Sequence, residues 1–175
     1  MATLNTHGHA HGDRSENYAG GVTIDYNSFP QNYAHLGKVR SAMRILDRLA
    51  DREPPTGRCN KYFKTLGINK TFTELWNSGG LFINYSSRNV AGEYADTHSN
   101  KKDIALHEWA LVNKNHWMIA ATLCHETAHC AGAPGGASNN AEKAVKECYF
   151  GDQLYDPTIV GQLESAYNEL RTALA

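Results

Sequence analysis

Three residues in the C-terminal half of the chain have types and spacing that could do chemistry. His125, Glu126 and His129 form the pattern His-Glu-x-x-His. Residues four apart on an α-helix share one face and lie about 6 Å apart, so the two imidazoles could bind one metal ion. Glu126 falls at the edge of that face, where a carboxylate can serve as a base without binding the metal. The spacing therefore predicts metal-assisted hydrolysis.

The flanking residues predict the buried helix that such a site needs. Asn113 or Asn115 is the predicted N-cap and Gly132 the predicted stop. The two histidines border an apolar stripe with spacings of three and four, made of Trp117, Ala120, Cys124, Ala128 and Ala131. The alternative interpretation is an ordinary helix with two partly exposed histidines and a solvated Glu126.

A third ligand is expected, because catalytic zinc usually has three protein ligands and one position for water. Segment 140–150 reads as a second helix. If it packs antiparallel on the first, at about 1.5 Å per residue, Glu142 lies roughly 3 Å from the axial level of the histidines and Glu147 roughly 5 Å. Glu142 is the predicted ligand; Glu147, Asp152, another histidine or no protein ligand are the alternatives. Glu142 could instead form a capping box with Asn139.

With these residues, the chain resembles the zincin zinc metallopeptidases, and a glutamate on a following helix is similar to the gluzincin subgroup. Gly135 stands where metzincins have a third histidine, so that subgroup is not expected. The resemblance implies an α+β domain in which a small mixed sheet packs on the active-site helix. It also implies Zn²⁺ as cofactor, Glu126 as the catalytic base, and His125, His129 and Glu142 as metal ligands.

The resemblance further implies that an extended peptide pairs with an edge strand of the sheet. Asp103–Trp109, just before the predicted helix, is the candidate for that strand. His107, Tyr149 or Tyr155 would then be placed to donate to the oxyanion, although a packing role is the simpler interpretation of each.

Composition predicts one globular domain. The chain has 175 residues, 41% of them hydrophobic, and a net charge of −1. It therefore lacks the charge excess that favours binding to nucleic acid or to an anionic membrane, and it has no apolar run long enough to span a bilayer. We expect a flexible N-terminal arm over residues 1–21, with His7, His9 and His11 outside the site, and a zincin-like metallopeptidase domain over residues 22–175.

Other segments have simpler patterns. Helices are predicted over Tyr33–Leu49 and Thr158–Leu174, with an undecided segment over Asn60–Asn77. Strands are predicted near Val22–Tyr26, Leu81–Tyr85, Val90–Tyr94 and Ile104–Trp109, with Asp96–Asp103 as a loop. The four cysteines are either buried thiols or two disulfides, Cys130 with Cys148 and Cys59 with Cys124.

The start of the chain lacks the order of a classical signal peptide. We expect a protein that stays in the cytoplasm of its producer, or leaves by a non-classical secretion system and acts in a target periplasm. A short zincin of this kind is similar to bacterial metallopeptidase toxins. The expected partners are a peptide, protein or peptidoglycan substrate and an inhibitor or immunity protein. The alternative functions are a non-catalytic zinc-binding structural domain and a helical interaction domain.

Overall fold

Six strands and six helices make up the part of the chain that the structure describes. The structure is a computed structural model, and it describes residues 1–135 and 139–151. In chain order the strands are β1 (Thr3–Leu4), β2 (Arg14–Tyr18), β3 (Val22–Tyr26), β4 (Phe82–Ser86), β5 (Ala95–Thr97) and β6 (Asp103–His107). The helices are α1 (Leu36–Arg52), α2 (Arg58–Lys64), α3 (Phe72–Asn77), α4 (Glu108–Asn113), α5 (His116–Cys130) and α6 (Asn140–Glu147). The α+β class predicted from the sequence is confirmed.

A four-stranded mixed sheet lies at the centre of the fold, in the order β1-β4-β6-β5. Strands β1, β4 and β6 are parallel, whereas β5 runs antiparallel to β6 at one edge. All five residues of β6 are buried, because both faces of the sheet are covered. Ile104 and Leu106 belong to the helical core, while Ala105 packs with Ile24 and Tyr26 of the β2–β3 hairpin on the opposite face.

Several sequence predictions for this core are confirmed. Helix α1 covers most of the predicted segment, and β3 and β4 lie where strands were expected. The undecided segment contains the two short helices α2 and α3, and the second begins at a complete capping box between Thr71 and Glu74. Five apolar side chains expected in the core from this segment are buried: Phe63, Leu66, Phe72, Leu75 and Trp76.

The prediction that Asp103–Trp109 forms the edge strand is wrong. Asp103–Trp109 divides into β6, which lies between β4 and β5, and the first residues of α4. The edge strand beside α5 is β5, in the polar stretch predicted as a loop, and Val90–Tyr94 does not form a strand. The pattern misled because the five buried residues of β6 are largely apolar, whereas those of β5 are only half-buried.

The first 21 residues pack on the rest of the molecule instead of forming the predicted arm. Strand β1 pairs with β4, and β2 pairs with β3. Asn5 is fully buried and donates to Asn84 Oδ1 at 2.8 Å. His11 Nε2 lies 2.5 Å from Asp103 Oδ1. The polar composition of this segment suggested flexibility, but its side chains have buried polar partners that lie far along the chain.

The cysteine pairing also differs from both predicted disulfides. Cys59 at the start of α2 bonds to Cys148 at the end of α6, while Cys124 and Cys130 are buried free thiols. Packing of α2 on α6 brings the bonded pair together, a long-range contact that sequence spacing does not encode.

No described helix is both long and apolar enough to cross a membrane. Asp152, Tyr155 and the predicted helix Thr158–Leu174 lie outside the described residues.

Candidate functional site

Helix α5 carries the His-Glu-x-x-His pattern, and both of its ends are fixed by local chemistry. The predicted N-cap Asn115 accepts a hydrogen bond from the backbone N–H of Met118 at 3.0 Å. At the other end Gly132 has a φ of +103°, and a Cβ there would lie 2.9 Å from the Cα of Gly67. Glycine is therefore needed at position 132 for both its conformation and this close backbone approach.

The two imidazoles of the pattern converge. His125 Nε2 and His129 Nε2 are 3.1 Å apart, and their ring planes meet at 72°. Zinc binds imidazole nitrogen at about 2.0–2.1 Å, which separates two tetrahedral ligand atoms by roughly 3.4 Å. The observed separation is close to that value and is also a hydrogen-bond distance, so one proton joins the two nitrogens in this structure and a metal ion could take its place.

Hydrogen bonding and burial prepare both rings as ligands. His129 Nδ1 lies 2.9 Å from the carbonyl oxygen of Ala133, which follows the glycine turn. A proton on Nδ1 that donates to this carbonyl leaves the lone pair on Nε2. For His125, burial and then the neighbouring His129 lower the pKa to about 4, against an opposing effect of Glu142. His125 is therefore neutral near pH 7, as a metal ligand must be.

Glu126 is buried beside this pair, with an exposed fraction of 6%. The hydroxyl of Thr97 on β5 donates to Oε2 at 2.7 Å, while Oε1 lies 3.9 Å from His125 Nε2. Burial raises the pKa of Glu126 to about 7; the hydrogen bond from Thr97 opposes this shift, and the charge of Asp96 adds to it. A carboxyl group with a pKa near the operating pH is suited to general acid–base catalysis.

Of the two carboxylates proposed from α6, Glu142 has the electrostatic contact with the pair. Helix α6 packs on α5. The half-buried Glu142 opposes the effect of burial on the pKa of His125 and adds to it for Glu126. Glu147 is not among the groups acting on either residue; it acts on Tyr62, whose pKa is raised by burial, then by the charge of Glu147 and then by that of Glu142. The side chain of Asn139 forms no cap with the described residues of α6, so a complete capping box is not present there.

The third ligand stays a prediction. Within residues 1–135 and 139–151, no three side chains of His, Cys, Asp or Glu form a group that could hold a metal ion as they stand. The arrangement present is a two-histidine pair with a base beside it and an acidic side chain nearby.

The predicted oxyanion donors are not grouped with the histidine pair. The hydroxyl of Tyr149 donates to Glu53 Oε2 at 2.9 Å. His107 ends β6 and is 1% exposed, with Nε2 lying 3.0 Å from Asp96 Oδ2 but without the alignment of a hydrogen bond. It shares a sheet face with Ala105, which packs on the hairpin, so it points away from α5.

Strand β5 presents an edge to the space beside α5. His98 N donates to Asp103 O at 2.8 Å, so in the antiparallel register Asp96 also exchanges its backbone hydrogen bonds with β6. The backbone N–H and C=O groups of Ala95 and Thr97 therefore point away from β6, and the Thr97 carbonyl accepts a hydrogen bond from the hydroxyl of Tyr18 at 3.2 Å. Sequence reasoning missed Asp96 and Thr97, and a three-residue polar segment offers no periodicity from which they could have been identified.

The chain matches no protein-family model, no curated protein and no solved structure. The resemblance to zincins consequently depends on the pentapeptide and on the geometry of the residues around it.

Proposed function

We propose that this protein is a zinc-dependent hydrolase of peptide bonds with a zincin-like active site on α5. The observation that carries the proposal is the convergence of the His125 and His129 Nε2 atoms at 3.1 Å, with the buried carboxylate of Glu126 beside them. This carboxylate lies 3.9 Å from His125 Nε2, within reach of a water molecule that a metal on the two histidines would bind.

The residues present fit a zinc ion. His125 and His129 would hold it through Nε2, and Glu142 is the proposed third ligand, since it lies on the helix packed against α5 and acts electrostatically on His125. When bound, zinc supplies Lewis acidity, lowering the pKa of a coordinated water to about 7 and polarising a substrate carbonyl.

Glu126 is the proposed general base and later the general acid. Its Oε2 is held by Thr97, which leaves Oε1 on the side of the histidines. It takes the proton from the attacking water and delivers it to the leaving amine, so that the amine departs neutral. Its burial excludes competing water and supports a pKa suited to both transfers.

The edge of β5 supports a peptide as substrate. An extended segment could pair with the backbone groups of Ala95 and with the N–H of Thr97, while the Thr97 carbonyl is bonded to the hydroxyl of Tyr18, and so be held alongside α5. The substrate would be a protein or a peptidoglycan peptide. The Cys59–Cys148 disulfide supports action in an oxidising compartment such as a target periplasm, as an antibacterial effector would require. Growth arrest on export of the wild type, but not of the Glu126→Gln variant, would test that role.

The proposal is tested by metal analysis combined with a peptidase assay. Wild-type protein should bind one zinc ion and cleave unfolded protein substrates. Glu126→Gln should keep the zinc and lose activity by about 10²-fold or more. His125→Ala and His129→Ala should lose both. Full activity in Glu126→Gln would overturn the mechanism, and stoichiometric zinc without turnover in the wild type would favour a non-catalytic zinc-binding domain.

The third ligand is tested by a matched pair of substitutions on the same helix. Glu142→Gln should weaken zinc binding by at least tenfold, because one charged ligand is lost, whereas Glu147→Gln should leave it within about twofold. Zinc affinities can be measured by competition with a chromogenic chelator. Equal affinities in the two variants would exclude Glu142 as the ligand.

A further inference from the structure

A cavity of about 380 Å³ lies between the β2–β3 hairpin and the ends of β5 and β6. Its apolar walls come mainly from the hairpin, through Tyr18, Val22 and Ile24, and its polar groups include Asp96 and His107. The cavity adjoins the proposed active site across one strand, since the residue after Asp96 is the Thr97 that holds Glu126. The proposed catalytic mechanism makes no use of it.

The cavity contains a buried polar side chain without a hydrogen bond. His107 is 1% exposed, and among the described residues neither of its ring nitrogens has a hydrogen-bond partner. Buried polar groups are nearly always hydrogen-bonded, so an unsatisfied one is unfavourable. The group nearest to its Nε2 is Asp96 Oδ2 at 3.0 Å, so His107 holds this carboxylate at the edge of the cavity.

The charges lining the cavity favour a cation. Arg88 donates to both carboxylate oxygens of Glu93, with Nη2 to Oε1 at 3.0 Å, so these two side chains neutralise each other. Asp96 Oδ2 contacts His107 Nε2, but its side chain is 37% exposed, so this carboxylate remains accessible to a cation in the cavity. A long side chain with an apolar stem and a positive end would match the apolar walls and the acidic end.

Strand geometry connects this cavity to the bound peptide. Asp96 pairs with Ala105, so its side chain lies on the hairpin face of the sheet, whereas Thr97 lies on the α5 face. On a peptide strand paired with β5, the residue opposite Asp96 points to the same face as Asp96, and its two neighbours point towards α5. One substrate side chain is thereby directed to the cavity while the adjacent backbone lies along the proposed active site.

We propose that this cavity is a specificity subsite that binds the ammonium or guanidinium group of a lysine- or arginine-like side chain of the substrate, with Asp96, which is held by His107, as its anionic partner. The inference rests on the proposed function, because it assumes that a peptide pairs with β5.

Binding without turnover provides the first test. Acetylated, fluorescently labelled peptides that differ only at a central residue would be titrated into Glu126→Gln protein and followed by anisotropy. Lysine should bind at least tenfold more tightly than norleucine, and arginine at least tenfold more tightly than citrulline, since each pair differs in charge but little in shape. Equal affinities within either pair would overturn the proposal for that cation, and equality in both would overturn it entirely.

Two variants that remove the same charge at different positions test whether Asp96 is responsible for the preference for cationic peptides. Asp96→Asn, made in the Glu126→Gln background, should abolish the preference for lysine over norleucine. Asp51→Asn, which removes the same charge from an exposed position on α1, should retain it. Retention of the preference in Asp96→Asn would place the cation site elsewhere. The comparison of lysine with norleucine uses Glu126→Gln protein alone, so it still tests the proposal if Asp96→Asn does not fold.

Cleavage of a peptide mixture by zinc-loaded wild-type protein separates this inference from the proposed function. Lysine or arginine should be enriched at one fixed position relative to the cleaved bond. Cleavage without such enrichment would overturn the subsite and leave the peptidase activity standing. Selective binding of the cationic peptides with no cleavage of any substrate would overturn the peptidase activity and leave the subsite standing.

Discussion

The hydroxyl group of Thr97 links the sheet to the proposed catalytic carboxylate of Glu126. It donates to Glu126 Oε2 at 2.7 Å and also lies 3.2 Å from the backbone carbonyl of Glu126. The first hydrogen bond stabilises the ionised carboxylate and opposes the rise in its pKa caused by burial. It also fixes which carboxylate oxygen faces the histidines, so Thr97 is a positioning residue for the proposed base.

Substitution of Thr97 tests this role. Thr97→Val keeps the shape of the side chain but removes the donor, and a hydrogen bond to a charged group contributes about 1.5 kcal/mol. We expect kcat/KM to fall about tenfold while zinc affinity is unchanged, and the acid limb of the pH–rate profile to move to higher pH because the opposing effect on the pKa of Glu126 is lost.

Thr97→Ser is the matched variant. It keeps the hydroxyl and should retain most of the activity and the wild-type pH profile. If the two substitutions had equal effects, packing would matter at this position and the hydrogen bond would not.

The sequence predicts the proximity of some residues of the site but not of others. His125, Glu126 and His129 belong to one helical turn, so their spacing alone predicts their proximity, and the structure places them together. Thr97 lies 29 positions before Glu126 in the chain, and only strand β5 brings it into contact. Local spacing carries no information about such a contact, which is why the helix was predictable and its partner was not.

Helix α6, which carries the proposed third ligand, packs on α5 and is also joined to α2 at its C-terminal end. Cys148 at its end is bonded to Cys59. Arg58 donates to the backbone carbonyls of Lys146 and Glu147, each at 3.1 Å, and stacks over the ring of Tyr149. These contacts hold the C-terminal end of α6, so Glu142 depends on them for its position along α5.

Reduction of the disulfide tests this dependence. The bond closes a segment between residues 89 positions apart, and loss of a native disulfide typically costs about 2–5 kcal/mol. A reductant should lower the urea midpoint of the wild type and weaken zinc binding, since α6 is then held less firmly.

A Cys59→Ser, Cys148→Ser double variant is the control. It should resemble the reduced wild type and show no further response to reductant, because Cys124 and Cys130 are buried free thiols. An unchanged midpoint on reduction of the wild type would show that the other contacts suffice to hold α6.

At the level of elements, periodicity predicted the amphipathic helix α1 and the buried strand β4. It failed for β5, because its three residues are all half-buried and show no alternation between buried apolar and exposed polar positions. It also failed for β1, because two residues are too few to show a period. Both strands are defined by pairing with distant partners, so their prediction would require the tertiary fold.

Asp103 on β6 links the sheet to the N-terminal segment of the chain through hydrogen bonds. This fully buried carboxylate accepts hydrogen bonds from Arg14 at 3.0 Å, from Asn84 at 2.9 Å and from Asn100 at 2.7 Å, in addition to its contact with His11. Burial acts to raise the pKa of Asp103, but these contacts outweigh it and lower the pKa below the ordinary value of 3.8.

The lowered pKa of Asp103 predicts how the free energy of unfolding changes with pH. The carboxyl group contributes stability above its unfolded pKa of about 4, and this is lost as the pH falls through the lower folded value. Asp103→Asn should lower the free energy of unfolding by about 3 kcal/mol at pH 7, with a smaller difference in strong acid. Urea unfolding from pH 2 to 7 would measure this, with Asp51→Asn as control. A constant difference across that range would contradict the assignment.

The order β1-β4-β6-β5 also determines where additions to the chain can be tolerated. Strand β1 follows the exposed Met1 and forms the sheet edge opposite β5. Since neighbouring strands lie about 4.8 Å apart, three spacings or roughly 14 Å separate the two edges. A purification tag or a fluorophore joined at Met1 would therefore lie on the side of the sheet away from β5, the edge proposed to bind a peptide. Immobilisation through this end should keep the cleft open to macromolecular substrates.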